Sequence, residues 1–433
     1  MNLRQQMQSA DEPTRRAFLS GLAQGTLGLT AMPLFAASAR AQAEGEVPLK
    51  PATARNVIYL YMSGGMSHLD TFDTKPGAET QGPTESIRTS ADGVQVAANF
   101  SNLARHMDKV AVLNSVFSTQ GAHAQGRYFM HTSYELRGTI KHPSMGAWLN
   151  RMAGPTNPTL PGHVAIRQGQ YMASGGFFES KYVPLPIGDP ASGLQNSARH
   201  GDVDAETFDR RLERVRKMNE EFKREHDQKK VRAYTDMYDQ ALALMNSSDL
   251  AAFDISQENE RIRDAYGQTR FGQGCLLARR LVEHGVRYVE VVSGGWDTHN
   301  DNFDEMDTLI PPVDQALSSL IVDLDARGLL DETLIVLATE FGRTPKIVTE
   351  RTGRNHYPKA FSCLLAGGGV RGGQKYGKTD ATGSEIIENP VSVPDFNATI
   401  AYALGLPLDH TVYSASGRPF TVADKGQPVT ALF

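Results

Sequence analysis

The sequence has little cysteine. Cys275 and Cys363 are the only two in 433 residues, so a disulfide-stapled scaffold is excluded and one bridge is the most the chain can form. Cys275 falls in a helical pattern and Cys363 in an apolar strand-like run, where both read as buried core residues. No apolar run reaches the ~18–20 residues that a spanning helix needs, so no membrane span is expected. Basic charge is not in excess: 44 Lys and Arg stand against 49 Asp and Glu, a net charge of −5. The basic stripe of a nucleic-acid-binding protein is therefore missing. Internal repeats, low-complexity segments and the tight zinc signature HExxH are also absent.

What is present points to a globular chain, with 40% hydrophobic and 21% charged residues. The N-terminus reads as a targeting segment. Thr14-Arg15-Arg16-Ala17-Phe18-Leu19 is a twin-arginine pattern, Gly21 to Ala37 is weakly hydrophobic, and Ala41-Gln42-Ala43 is a small-x-small cleavage site. Residues 1–43 are expected to direct export to the periplasm or beyond, leaving one domain over 44–433. In that domain, short β-branched runs alternate with helical patterns. This predicts an α/β fold, a doubly wound and largely parallel sheet with helices on both faces. The charged amphipathic stretch at about 205–247, with Phe208, Leu212, Val215, Met218 and Phe222 at helical spacing, predicts a helical hairpin laid over the sheet. The Gly/Pro-rich stretches Ala153–Pro161 and Gly367–Gly373 read as long loops on the active face.

The chemistry concentrates after the strand-like runs. Leu334 to Pro358 reads LIVLATEFGRTPKIVTERTGRNHYP, a buried strand followed by Glu340, Arg343 and His356. Upstream, Val286–Val292 ends in GGWDTHND and supplies Asp297 and His299. Parallel sheets gather ligands past the carboxyl ends of their strands, so two neighbouring strand ends are expected to deliver Asp297, His299, Glu340 and His356. That mixture of carboxylate and imidazole suits a divalent metal such as Zn or Ca. The first strand, Asn56–Met62, is followed by Ser67, His68, Asp70 and Asp73, which can face the same crevice or belong to a turn with a serine cap. After a second strand candidate, Val110–Phe117, His123 and Arg127 stand one helical turn apart.

The motifs SGGMSHLDTFDTKP, GQGCLLARRLVEHGVRYVEV, GGWDTHND, RGLLDETLIVLATEFGRTP, GRNHYP, LLAGGGVRGG and SGRP together resemble the bacterial family called domain of unknown function 1501, over nearly the full chain. That family in turn is similar to the alkaline phosphatase and sulfatase superfamily. The resemblance implies an alkaline phosphatase-like core and a divalent-metal site for phosphate or sulfate esters. LIVLATEFG is similar to the superfamily strand ending in Asp-His-Gly, with Glu340 in place of the Asp and Phe341 in place of the metal-binding His. GGWDTHND resembles the Asp-x-x-x-His segment, with His299 in the His position and Asp297 two residues before it rather than four. His356 is similar to the later single His, and Asp395-Phe-Asn-Ala-Thr-Ile to the Asp-x-x-Pro-Thr-Leu helix. The first strand ends in Ser63 and Gly64 where the superfamily has a metal-binding Asp, so Asp70 or Asp73 would have to stand in. HAQGRYFMHTS fits the nucleophile frame with Arg127 and Thr132 in register and His123 at the nucleophile position, which excludes formylglycine chemistry.

The expectation is an exported metal-dependent hydrolase of an anionic phosphate or sulfate ester. Asp297, His299, Glu340 and His356 hold the metal, with His68 and Asp70 as further candidates. His123 is the nucleophile or general acid/base, and Arg127 and Arg343 bind the anionic oxygens. The alternative is a non-catalytic binding or assembly protein on the same fold, with a degenerate metal site and an exported protein as partner.

Overall fold

A computed structural model of the protein describes residues 49–166, 174–195, 197, 201–225 and 240–433. The expected export segment lies outside them. Among the described residues, nine strands form the main sheet: β1 Asn56–Met62, β2 Val110–Phe117, β3 His163–Ile166, β4 Leu185–Ile187, β5 Tyr288–Ser293, β6 Thr333–Ala338, β7 Phe361–Ala366, β8 Gln374–Tyr376 and β9 Val391–Ser392. Their order in space is β8-β2-β7-β6-β1-β5-β3-β4, with β9 beside β2. β7 runs antiparallel to both neighbours, and every other pairing in this sheet is parallel. The largely parallel sheet read from the sequence is therefore the one observed.

The helices that matter below are α1 His123–Thr132, α2 Met145–Ala153, α3 Ala205–Glu225, α4 Glu260–Tyr266, α5 Arg270–Glu283, α6 Asn302–Ala326 and α7 Val393–Ala403. Among them, α5 and α6 lie on one face and α1, α2 and α7 on the other, as a buried parallel sheet requires. Ile58, Leu60 and Met62 of β1 enter one apolar cluster with Leu276, Leu277 and Leu281 of α5 and Val313, Leu317 and Leu320 of α6. The alternate residues Tyr59 and Tyr61 point to the opposite face, where α1, α2 and α7 pack. That second face is partly polar. Register places His163 opposite Tyr288, and Tyr59 opposite Glu290, all of them buried.

Three sequence expectations need correction. The ends of β5 and β6 are not neighbours, because β1 lies between them and pairs with both. The order of strands is set by long-range pairing, which no local pattern reports. The loops at Ala153–Pro161 and Gly367–Gly373 lie at the opposite edge of the sheet from the site. Asn157 bonds the His284 carbonyl ahead of β5, and Gly368 abuts Ala54 and Leu334 at the starts of β1 and β6. The reversal of β7 carries its C-terminus to that edge. Val313, Ala316, Leu317, Leu320, Ile321 and Leu324 predict a helix over Pro312–Arg327, but α6 begins ten residues earlier, at Asn302, and continues through Pro311 and Pro312, which a sequence reading treats as a boundary.

Of the stretch expected to form a hairpin, α3 is helical, and residues 226–239 lie outside the described set. Met218 and Phe222 on its apolar stripe are 68% and 52% exposed, so these side chains are not buried against the sheet. Cys275 and Cys363 are both buried and free.

Candidate functional site

The site begins at the glycine turn after β1. Gly64 and Gly65 have φ of 128° and 86°, backbone that only glycine adopts without strain. A Cβ on Gly64 would sit 2.5 Å from the Asp297 nitrogen. The turn is thus pressed against the loop after β5. This close approach is the physical reason a glycine, and no carboxylate, ends the first strand.

Against this turn stand four side chains from three further segments. His123 opens α1. Asp297 and His299 follow β5. His356 lies on a short ribbon, His356–Tyr357, paired with Gly342–Arg343. His123 Nε2 is 3.2 Å from Asp297 Oδ2. His299 Nε2 is 3.2 Å from Asp297 Oδ1 and 3.0 Å from His356 Nε2, and His356 Nε2 is 3.3 Å from Asp297 Oδ1. Among the described residues, His123, Asp297 and His356 form the one group of three or more His, Cys, Asp or Glu whose ligand atoms all lie within 4.8 Å of one another. His299 adjoins it.

The far nitrogens of two of these rings are anchored. His123 Nδ1 is 2.9 Å from Glu340 Oε1, and His356 Nδ1 is 2.9 Å from the Gly121 carbonyl. Both partners are acceptors, so each Nδ1 carries the hydrogen and each neutral ring turns an Nε2 lone pair inward. His123 Nε2 is buried and makes no well-aligned hydrogen bond. Lone pairs facing a carboxylate need a cation between them, either a metal ion or added protons. Locked Nδ1–H groups are also the usual outer support of metal-binding imidazoles. The residues present therefore fit a divalent ion.

The electrostatics follow from the same contacts. Burial pushes Asp297 up, but Arg343 and then His123 and His299 outweigh it and hold its pKa at about 2. The hydrogen bond from His123 to Glu340 raises the His123 pKa against the effect of burial. Burial lowers that of His299.

Other expected site residues lie outside the group. Glu340 is fully buried and turned inward. Its Oε1 accepts from Gly64 N–H at 2.9 Å and from His123, and its Oε2 accepts from Tyr61 Oη at 2.8 Å. It bonds the His123 ring and lies outside the group of His123, Asp297 and His356. Arg343 is fully buried and turned inward. Its Nε donates to Gly65 O at 2.8 Å, and its terminal nitrogens donate to Gly64 O, Trp296 O, Arg354 O and Asp297 Oδ1. Being fully buried, it presents no donor at the protein surface. Asp70 sits in a separate buried ion pair, 2.8 Å from Arg354 Nε, with Ser67, Thr84 and Asn302 around it. His68 bonds the Gly383 carbonyl at 2.9 Å. Neither joins the group. Arg127 is half-buried on α1, one turn after His123, and its Nε is buried without a hydrogen-bond partner.

Sequence reasoning missed Tyr61 and a buried pair behind it. His131 Nε2 is 2.8 Å from Glu290 Oε1, and the His131 ring lies 4.6 Å from that of Tyr61. Burial opposes a charged imidazole there, but Glu290 outweighs it and the His131 pKa is raised. The alternation of β1 and β5 is the signal that could have found these residues, since it puts Tyr61 and Glu290 on the face that carries α1.

The family description "Protein of unknown function (DUF1501)" matches residues 54–433. The chain belongs to the DUF1501 family. No curated protein matches it. Among solved structures, this DUF1501 protein is similar to an alkaline phosphatase, PafA, in a mutant form, with 9% identity, TM-score 0.43, and coverage of 89% of this chain and 100% of that one. It is also similar to a protein in the alkaline phosphatase superfamily from Vibrio parahaemolyticus, with 9% identity, TM-score 0.40, and coverage of 88% and 72%. A third is the sulfatase PsFucS1 from Pseudoalteromonas sp., with 13% identity, TM-score 0.38, and coverage of 82% and 68%. These are likenesses of chain arrangement and assign no residue of the DUF1501 chain a role.

Proposed function

We propose that this DUF1501 protein is an exported, metal-dependent hydrolase of phosphate or sulfate esters. The observation that carries the reading is the convergence of His123, His299 and His356 on the Asp297 carboxylate, with two rings locked by Nδ1–H bonds. Three imidazoles and one carboxylate favour a zinc-like ion over calcium, which takes six or more oxygens. When bound, such an ion polarises an ester oxygen and acidifies water. His123 is assigned as a ligand and not as the nucleophile, since its Nε2 faces Asp297 and its Nδ1 is held by Glu340. Arg127 is the guanidinium free to take the anionic oxygens of the ester. Export is assigned to residues 1–43 on their arginine pair and cleavage pattern. No helix of the described residues is long and apolar enough to cross a membrane.

The test is zinc binding and hydrolysis of p-nitrophenyl phosphate and sulfate by the full chain, its His299→Ala and His356→Ala variants, and Arg127→Ala. Wild type is expected to bind zinc and to hydrolyse one of the esters. The histidine variants are expected to lose both, and Arg127→Ala to lose rate with its metal retained. Equal metal content in wild type and both histidine variants overturns the reading. Glu340 and Arg343 are buried and bonded inside the protein, which favours a second reading, a binding or assembly protein without turnover. Zinc binding with no hydrolysis of either ester supports that one.

A further inference from the structure

We propose that the site takes one divalent ion per chain, and that Arg343 is its built-in second cation. The inference rests on the metal reading above and goes beyond it, since that reading is silent on how many ions bind and on what balances Asp297 from behind. The argument begins with ligand supply. Besides the Nε2 atoms of His123, His299 and His356, the one carboxylate in the group is Asp297. A neighbouring carboxylate, Glu340, has both oxygens engaged by Gly64, His123 and Tyr61. Phe341 is fully buried and walls one flank, its ring centroid 5.1 Å from that of His123 and 4.5 Å from that of His356. Among the described residues, a second divalent ion would find no further cluster of ligands and would meet an apolar wall.

The second part is the place Arg343 occupies. Its guanidinium lies in a cage of backbone carbonyls, those of Gly64, Gly65, Trp296 and Arg354, and reaches Asp297 Oδ1 at 2.5 Å. An all-oxygen cage beside a carboxylate is what a hard cation would require. Here the chain itself supplies that charge on a side chain with 0% exposure. The guanidinium is always protonated, so its bond to Oδ1 favours one orientation of the Asp297 carboxylate. Asp297 Oδ1 bonds Arg343 and also faces His299 and His356, while Oδ2 faces His123. Arg343 is in this sense a positioning residue for the metal-binding carboxylate.

Zinc titration of the metal-free full chain, read by native mass spectrometry and by a competing chelator, tests the proposal. One ion per chain is expected. Two ions per chain overturn this proposal and leave the metal reading standing, whereas none overturns the metal reading itself. Arg343→Ala is expected to weaken zinc binding by about 10–100-fold, the usual effect of losing outer support for a ligand. Added guanidinium at non-denaturing concentration should restore it by refilling the cage. Unchanged affinity in Arg343→Ala, or a weakened affinity that guanidinium leaves untouched, overturns the role of Arg343. Should that variant fail to fold, Arg343→Gln keeps a polar side chain and loses the charge. It is expected to weaken zinc binding, and wild-type affinity in it would overturn the role equally.

Discussion

Single atoms decide what this site can be. Tyr61 Oη supplies one of the donors that keep Glu340 turned inward, and Glu340 in turn sets which His123 nitrogen carries the hydrogen. Tyr61→Phe removes that donor and little volume. It should raise the zinc dissociation constant about tenfold without changing the unfolding midpoint by much, which chelator competition and urea unfolding would report together. An unaltered zinc affinity would show that Glu340 does not need the phenol. His163 offers a second measurement away from the metal group. Its ring is buried against Tyr288, neither nitrogen has a partner, and burial lowers its pKa to about 3. Because the folded pKa lies below the ordinary value of about 6.5, the unfolded chain binds the extra proton between those limits. Stability therefore falls as pH drops from about 6.5 toward about 3. The slope is about 1.4 kcal/mol per pH unit, so about 2 kcal/mol is lost by pH 5. His163→Phe should flatten that limb in urea unfolding compared at pH 7 and pH 5. Identical pH dependence in the variant would refute the assignment.

At the scale of elements, the face of the sheet away from the site is held by charge as well as by apolar packing. Arg279 of α5 has 0% side-chain exposure and contacts Glu258 at 2.9 Å, Glu283 at 2.6 Å and Asp323 of α6 at 2.8 Å. Arg279→Ala would leave these carboxylates facing one another without their buried partner. A loss of about 3–5 kcal/mol is expected, measured by denaturant unfolding, and a loss below about 1 kcal/mol would mean that Arg280 and Arg327 take over the pairing. Helical periodicity made α5 and most of α6 legible in the sequence. It could not say what each face would meet. The same periodicity marked α3, whose Met218 and Phe222 are exposed instead of lying on the sheet. Periodicity is a property of one segment, while burial is a property of two.

For the molecule as a whole, export and fold are separable claims. The arginine pair Arg15-Arg16 precedes Phe18-Leu19 and a cleavage pattern at Ala41-Gln42-Ala43. Replacing both arginines by Lys should leave uncleaved precursor in the cytoplasm, seen by fractionation and immunoblotting, and undiminished mature protein outside it would sink the export assignment. What the sequence determined by itself was local: the strand runs, the helices, the glycine turn after β1, and the placing of Asp297, His299, Glu340 and His356 after strand ends. Patterns of period two and three to four, and the demands of a tight turn, are written in neighbouring residues. The tertiary structure alone decided the rest. It put β1 between β5 and β6, aimed Glu340 at Tyr61 and His123, locked Arg343 in a cage of carbonyls, and drew Asp70 into its pair with Arg354. Each outcome depends on which distant segment packs beside a side chain, and long-range pairing of strands fixes that neighbour.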